Sequence, residues 1–217
     1  MSNTSNGPAK KGSKYWMQKI VNTENLHRRL EKEIGFEKTI WVSPIENEQY
    51  KEYRLNEASI ANKLGLDRAY IRSFWPAPGP QWDALGNADD GTIVLVEAKA
   101  HPGEVNSRTK ATGNSLALIK ETLLNTHDCL RATIPFREEI WLYKYYQAAN
   151  RLAFWNKLSK KYKVALVFLN LVNDEYGKTS EQVWETHTQK LMRDLLGNAN
   201  LPPGIKIIPF DVEGISL

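Results

Sequence analysis

Cysteine is nearly absent: in 217 residues only Cys129 carries a thiol, which excludes an internal disulfide framework and any zinc site built on several cysteines. Long apolar runs are missing too. Those present, such as Ile93-Val94-Leu95-Val96, have the length of buried strands and fall far short of the ~20 residues that cross a bilayer. The opening Met1-Ser2-Asn3-Thr4-Ser5-Asn6-Gly7-Pro8 offers no apolar segment for a secretory signal, so the expectation is a cytoplasmic protein with no membrane partner. Charge of one sign is in small excess only. With 29 Lys and Arg against 25 Asp and Glu, the net charge of +4 permits a polyanionic partner without requiring one, because clustered charge attracts phosphates more than the sum does.

What is present is an ordinary globular balance, 41% hydrophobic and 25% charged residues, enough to bury a sizeable core. The aromatic content, with 7 Trp and 9 Tyr, serves either that core or stacking on bases. Residues 1–14 are polar, contain Gly7, Pro8 and Gly12, and carry Lys10, Lys11 and Lys14. They are expected to form a flexible basic tail, with residues 15–217 as a single domain.

Ser43-Pro44-Ile45-Glu46 has the composition of a helix start, with a capping hydroxyl, proline at the first helical position and a capping-box acid. The spacing predicts a helix from there to about Leu64, stopped by Gly65. Tyr50, Tyr53, Glu57, Ile60, Ala61 and Leu64 then fall on one stripe, which turns Glu57 toward the core. A carboxylate there costs several kcal/mol unless a cation, hydrogen bonds or a water-filled cleft receives it; otherwise Glu57 lies on the frayed edge of the stripe.

The prolines within Pro76-Ala77-Pro78-Gly79-Pro80 force a turn. The turn formers Asn87-Ala88-Asp89-Asp90-Gly91, followed by a β-branched apolar run from Thr92, predict a hairpin over residues 81–98. Ile93, Leu95, Glu97 and Lys99 face one way, and Val94, Val96, Ala98 and Ala100 the other. Since both faces are apolar as far as Glu97, the strand is expected at the centre of a sheet covered by helices on both sides. Further helices are expected over residues 115–130, 138–160 and 180–196, and strands over 164–172 and 205–209. The succession belongs to an α/β sandwich.

Centring the hairpin on Asp90 puts Asp83 directly opposite Glu97. Facing carboxylates on paired strands repel. A hard divalent ion such as Mg²⁺ relieves that repulsion with one or two carboxylates while keeping several waters. Lys99 lies on the same face as Glu97, one step further along the strand.

The run Pro80-Gln81-Trp82-Asp83, then thirteen residues, then Glu97-Ala98-Lys99 resembles the PD-(D/E)xK, or restriction-endonuclease-like, nuclease superfamily. The stretches Trp82-Asp83-Ala84-Leu85-Gly86 and Val96-Glu97-Ala98-Lys99-Ala100-His101 are similar to those of a group of small bacterial proteins within it. Gln81 and Trp82 separate Pro80 from Asp83, so the Pro-Asp pair itself is missing. The resemblance covers roughly residues 44–172. It implies an αβββαβ core whose mixed central sheet is flanked by helices on both faces, with Asp83, Glu97, Lys99 and the helical Glu57 as catalytic residues. It also implies a Gln lining the site from the helix after the acid-x-Lys strand, for which Gln147 is the candidate.

The implied activity is hydrolysis of nucleic-acid phosphodiester bonds, with DNA as the expected substrate and Mg²⁺, or Mn²⁺ in its place, as cofactor. Asp83, Glu97, Glu57 and the Ala98 carbonyl would be the metal ligands, and Lys99 would orient the attacking water. Lys144, Gln147 and Arg151 fall on one helical stripe. With Lys110 and Lys120, Lys144 and Arg151 are the expected backbone contacts. A homodimer would allow both strands of a duplex to be cut. The alternative from another class is a silent module of the same fold that binds nucleic acid or a protein without cutting. His101 and Glu104 follow the triad closely and are expected to shape the loop, the alternative being contact with metal waters or the nucleic-acid backbone, and His27, His127 and His187 lack ligand-like spacing.

Overall fold

The computed structural model describes residues 7–215. Its strands are β1 (Thr39–Ser43), β2 (Tyr53–Arg54), β3 (Gln81–Trp82), β4 (Ala84–Ala88), β5 (Ile93–Lys99), β6 (Val164–Val172) and β7 (Ile205–Asp211). Five of them form a mixed sheet in the order β1-β4-β5-β6-β7, and β2 pairs with β3 in a short ribbon beside it. β1, β4 and β5 are antiparallel neighbours, whereas β5, β6 and β7 run parallel.

Helices α1 (Gly12–Asn22) and α2 (Glu24–Ile34) cover one face of the sheet. On the other lie α3 (Ala58–Leu64), α4 (Arg68–Phe74), α5 (Gly113–Cys129), α6 (Glu138–Trp141), α7 (Tyr146–Leu158) and α8 (Glu181–Leu196). The chain is thus of the α/β class, with its central sheet flanked by helices on both faces. None of these helices is long and apolar enough to cross a membrane.

β5 is central because both of its faces are apolar. Ile93 and Leu95 pack into the core under α3 to α8, while Val94, Val96 and Ala98 pack under α1 and α2. Each fully buried Val, Leu or Ile contributes about 1.5–3 kcal/mol. The strand is therefore fixed in position and rotation, and whatever chemistry it carries at its C-terminal end inherits that rigidity. The hairpin register follows the sequence expectation: Ala84 pairs with Val96, Leu85 with Leu95 and Gly86 with Val94.

Gly86 has a packing role in the same hairpin. A Cβ built there would lie 2.7 Å from Thr39 Cγ2 and 3.2 Å from the Ile40 carbonyl oxygen, because β1 crosses closely at that point. Overpacking of this kind typically costs about 1–3 kcal/mol. Gly86→Ala is therefore expected to lower the urea midpoint by that equivalent. An unchanged midpoint would show that β1 sits further from β4.

Three sequence expectations are corrected. The helix predicted over residues 44–64 shrinks to α3, because the chain ahead of it is used otherwise. Gln49 and Tyr50 adopt left-handed backbone angles (φ 55° and 53°), and Tyr53 and Arg54 pair with Trp82 and Gln81. The helix predicted over 138–160 is broken between α6 and α7. There the Ser107 N–H donates to the Lys144 carbonyl (2.8 Å) and the Thr109 N–H to that of Leu142 (2.8 Å), so the backbone in the gap pairs across the chain. The segment expected as a flexible basic tail to residue 14 overlaps the first helix. α1 begins at Gly12, and residues 1–6 of the expected tail lie outside the described residues.

Candidate metal centre

Asp83 sits in the step between β3 and β4, at the point where the hairpin register reaches Glu97. Its Oδ2 accepts a hydrogen bond from the Ala98 N–H at 2.7 Å. That bond ties the first acid to the backbone between the second acid and the lysine. Glu97 and Lys99 end β5, on the face turned toward α7 and α8. Lys99 Nζ lies 2.5 Å from Glu97 Oε1, and Lys99 pairs in register with Asn170 of β6. The three groups therefore converge at the C-terminal edge of parallel strands, the usual place for ligand sites in such sheets.

The break before α7 positions a further partner. Ser107 Oγ accepts the Gln147 N–H at 2.8 Å, which seats the first turn of α7 and aims both Gln147 and Arg151, one turn apart, at the end of β5. Arg151 Nε donates to Glu97 Oε2 at 2.6 Å, Nη1 to Asn150 and Nη2 to the Gln81 carbonyl. Its guanidinium also lies 4.3 Å from the centre of the Trp82 ring. Arg151 is only 2% exposed, so the expectation that it contacts nucleic-acid phosphates is corrected: this cation faces Glu97, not solvent.

Glu57 is the second site residue to be corrected. With the predicted helix lost, it precedes α3, where its carboxylate accepts from Lys51 Nζ at 3.1 Å and from the Arg54 N–H at 2.9 Å. Its hydrogen-bond partners are thus Lys51 and the backbone of Arg54. The charge of Glu52 acts on Asp83, its side chain accepts from Gln81 Nε2 at 3.2 Å, and Lys14 of α1 lies 3.5 Å from it. The sequence held no local signal for Glu52, because the pairing of β2 with β3 brings it in.

The electrostatics follow from burial and crowding. Asp83 has its pKa pushed up to about 7, first by burial and then by the neighbouring Glu97 charge. Burial also dominates at Glu52 and raises its carboxyl, against the pull of Lys14. At Glu97 burial acts upward as well, yet Arg151 and Lys99 outweigh it and the carboxyl is held below its ordinary value. Lys99 stays charged, since the Glu97 and Asp83 carboxylates overcome the effect of burial and raise its pKa.

A cavity of about 30 Å³ opens beside Glu97 and Lys99, with Gln147, Asn170, His187 and Thr188 among its walls. Burial comes first among the causes that lower the His187 pKa, and its Nε2 is buried with no hydrogen-bond partner among the described residues. Sequence spacing passed over this residue because α8 is remote from the triad along the chain.

The chain matches no protein-family model, no curated protein and no solved structure.

The remaining expected contacts are scattered. Lys120 pairs with Glu138. Lys144 pairs with Asp194 at 3.1 Å. Lys110 is exposed and lines a separate groove beyond the loop of residues 76–80. Ala98 joins the site through its N–H, and its Cα stands in register with Leu169 of β6. Among the described residues, no group of three or more His, Cys, Asp and Glu side chains could hold a metal ion.

Proposed function

We propose that this chain is a metal-dependent hydrolase of nucleic-acid phosphodiester bonds, with DNA as the expected substrate, built on a restriction-endonuclease-like core. The observation that carries the reading is the hydrogen bond from the Ala98 N–H to Asp83, which holds Asp83 in register with Glu97 and Lys99 on a buried, rigid strand.

The donor set fits Mg²⁺ better than it fits a fully protein-ligated metal. Burial first and the Glu97 charge second push the Asp83 carboxyl up, and a bound cation would offset both. Mg²⁺ needs only one or two carboxylates, keeping waters in its other positions, so a pair formed by Asp83 and Glu97 suffices where the described residues hold no cluster of three. Bound there, the ion would supply polarisation of a phosphate oxygen and a water of lowered pKa.

The chain's own residues do the rest. Lys99 Nζ, fixed by Glu97, places a permanent cation where charge develops on the phosphate, and preorganised donors of that kind are commonly worth about 10²–10³ in rate. Arg151 locks Glu97 from behind, so that one carboxylate edge is immobile. Gln147 offers a neutral amide at the wall of the cavity, suited to orienting a water or a phosphate oxygen.

One observation favours the silent alternative: both oxygens of Glu97 already accept from cations, Lys99 on one and Arg151 on the other. The two readings part on experiment. Parent, Asp83→Ala and Lys99→Ala proteins are assayed on plasmid and single-stranded DNA with Mg²⁺ or Mn²⁺, alongside calorimetric titration with Mg²⁺ alone. The hydrolase reading expects cutting by the parent, a loss of at least about 10²-fold in both variants, and Mg²⁺ binding that Asp83→Ala abolishes. Equal cutting by all three would trace the activity to a contaminant. No cutting and no Mg²⁺ binding would leave the binding module.

A further inference from the structure

We infer that the groove on the outer side of Glu52 and Gln81 binds the phosphate backbone of the nucleic-acid strand next to the bond being cut. The inference rests on the phosphodiester reading and deepens it by assigning the strand a track, built from residues that no sequence motif singled out.

The groove has a volume of about 480 Å³, and four of its wall residues are cations: Lys51, Arg54, Arg68 and Arg72. Its two acids are already engaged. Glu57 is held by Lys51 and the Arg54 N–H, and Glu52 by Lys14 and Gln81. Among the described residues, Arg54, Arg68 and Arg72 have no carboxylate within ion-pair distance. Three arginines thus share one groove while its two carboxylates are taken by lysines, and like charges gathered on one surface repel. A polyanion relieves that repulsion.

The arginines are also preset. Arg54 Nε donates to the Gly79 carbonyl at 3.1 Å and Arg68 Nε to that of Asn56 at 2.9 Å. Each bond fixes the stem while leaving the terminal nitrogens of the guanidinium for a ligand. A planar fork held in this way loses little freedom when it grips a phosphate with two hydrogen bonds. Arg72 lies one turn beyond Arg68 on α4 and is exposed, so the pair presents cations at successive positions along the groove.

The far wall determines which anion fits. Glu52 and Gln81 line the groove and also belong to the candidate metal centre, through the charge of Glu52 on Asp83 and the Gln81 carbonyl on Arg151. A strand whose phosphates follow the arginines therefore reaches Glu52 and Gln81, the two residues that the groove shares with the surroundings of Asp83. A free phosphate would need only one of these cations, whereas a chain of phosphates uses them all.

The test is binding without catalysis. A short fluorescein-labelled DNA duplex and its single strand are titrated with the full chain in EDTA, and anisotropy is read across about 50–200 mM KCl. The variants are Arg72→Glu, the pair Arg68→Ala with Arg72→Ala, and Lys160→Glu as a charge-matched control outside the groove. Losing two phosphate contacts should flatten the log–log salt dependence by about 1.8 for duplex or about 1.4 for single-stranded DNA. Affinity at low salt should fall at least about tenfold, while the control changes far less than Arg72→Glu.

Arg68 supports the Asn56 carbonyl, so the double variant is checked by thermal melting. Should it misfold, Arg72→Glu decides, because the Arg72 side chain makes no hydrogen bond among the described residues. Parent-like affinity and slope in folded groove variants would overturn the inference, as would a parent that binds no DNA. Loss of binding in the variants with no cutting by any protein would keep the groove and discard the hydrolase. Cutting by the parent with an unchanged salt slope would do the reverse.

Discussion

Arg151→Ala is expected to destabilise the protein by about 3–5 kcal/mol, the range found when one partner of a buried ion pair is removed. The guanidinium and the Glu97 carboxylate are each only about 3% exposed at their side chains, with Nη2 2.5 Å from Oε2. Truncation leaves Glu97 in the core with Lys99 alone, and it also orphans the Gln81 carbonyl and the Asn150 side chain. Because Lys99 remains on Oε1, the loss should fall toward the lower end of that range. Urea denaturation at neutral pH measures it, and replacing both partners separates its causes. Glu97→Leu with Arg151→Met removes the uncompensated carboxylate but leaves Lys99 and the Gln81 carbonyl without these partners, so it should recover part of the stability and not all of it. A single variant within about 0.5 kcal/mol of the parent would mean that water reaches Glu97. Added Mg²⁺ should stabilise Arg151→Ala more than the parent, as the ion would then take over the neutralisation of Glu97.

The same residue shows where sequence stopped being informative. The register that faces Asp83 with Glu97 was readable because turn formers fix the centre of the hairpin and a two-residue period fixes everything after it. The doubly apolar β5 was readable because Ile93 to Val96 leave no polar face. Arg151 was not, since a helical polar stripe looks the same whether its cation meets water or a buried acid. Glu57 failed for another reason. An apolar stripe through Tyr50 and Tyr53 suits a helix locally, but the pairing of Tyr53 with Trp82 claims that segment for a ribbon, and helical rotation no longer applies to Glu57. That pairing puts Glu52 beside Asp83, a consequence of contacts distant in sequence that no local window could hold. The helix break at residues 142–145 has the same origin, in a pairing with Ser107 and Thr109.

Asp83→Asn is expected to stabilise the protein at slightly alkaline pH while abolishing activity, a combination that distinguishes a functional acid from a structural one. The folded state holds the Asp83 proton up to about pH 7, against an ordinary value of 3.8, so between those values it binds more protons than the unfolded chain. Stability from this group is therefore complete below about pH 4 and is lost as pH rises through about 7. At about 1.4 kcal/mol per unit, and allowing for water that reaches the partly open crevice, the loss is on the order of 3 kcal/mol. The amide has no charge to desolvate and no repulsion with Glu97, so its stability should stay flat where that of the parent declines. Chemical denaturation at pH values spanning about 5 to 8.5 reads the difference directly. Mg²⁺ should flatten the parent curve as well, because the cation would compensate the carboxylate that burial penalises, and it should leave Asp83→Asn unmoved. A parent whose stability rises across that interval would show that Asp83 is ionised at ordinary pH in the folded state, and the electrostatic case for a metal at this site would fail with it.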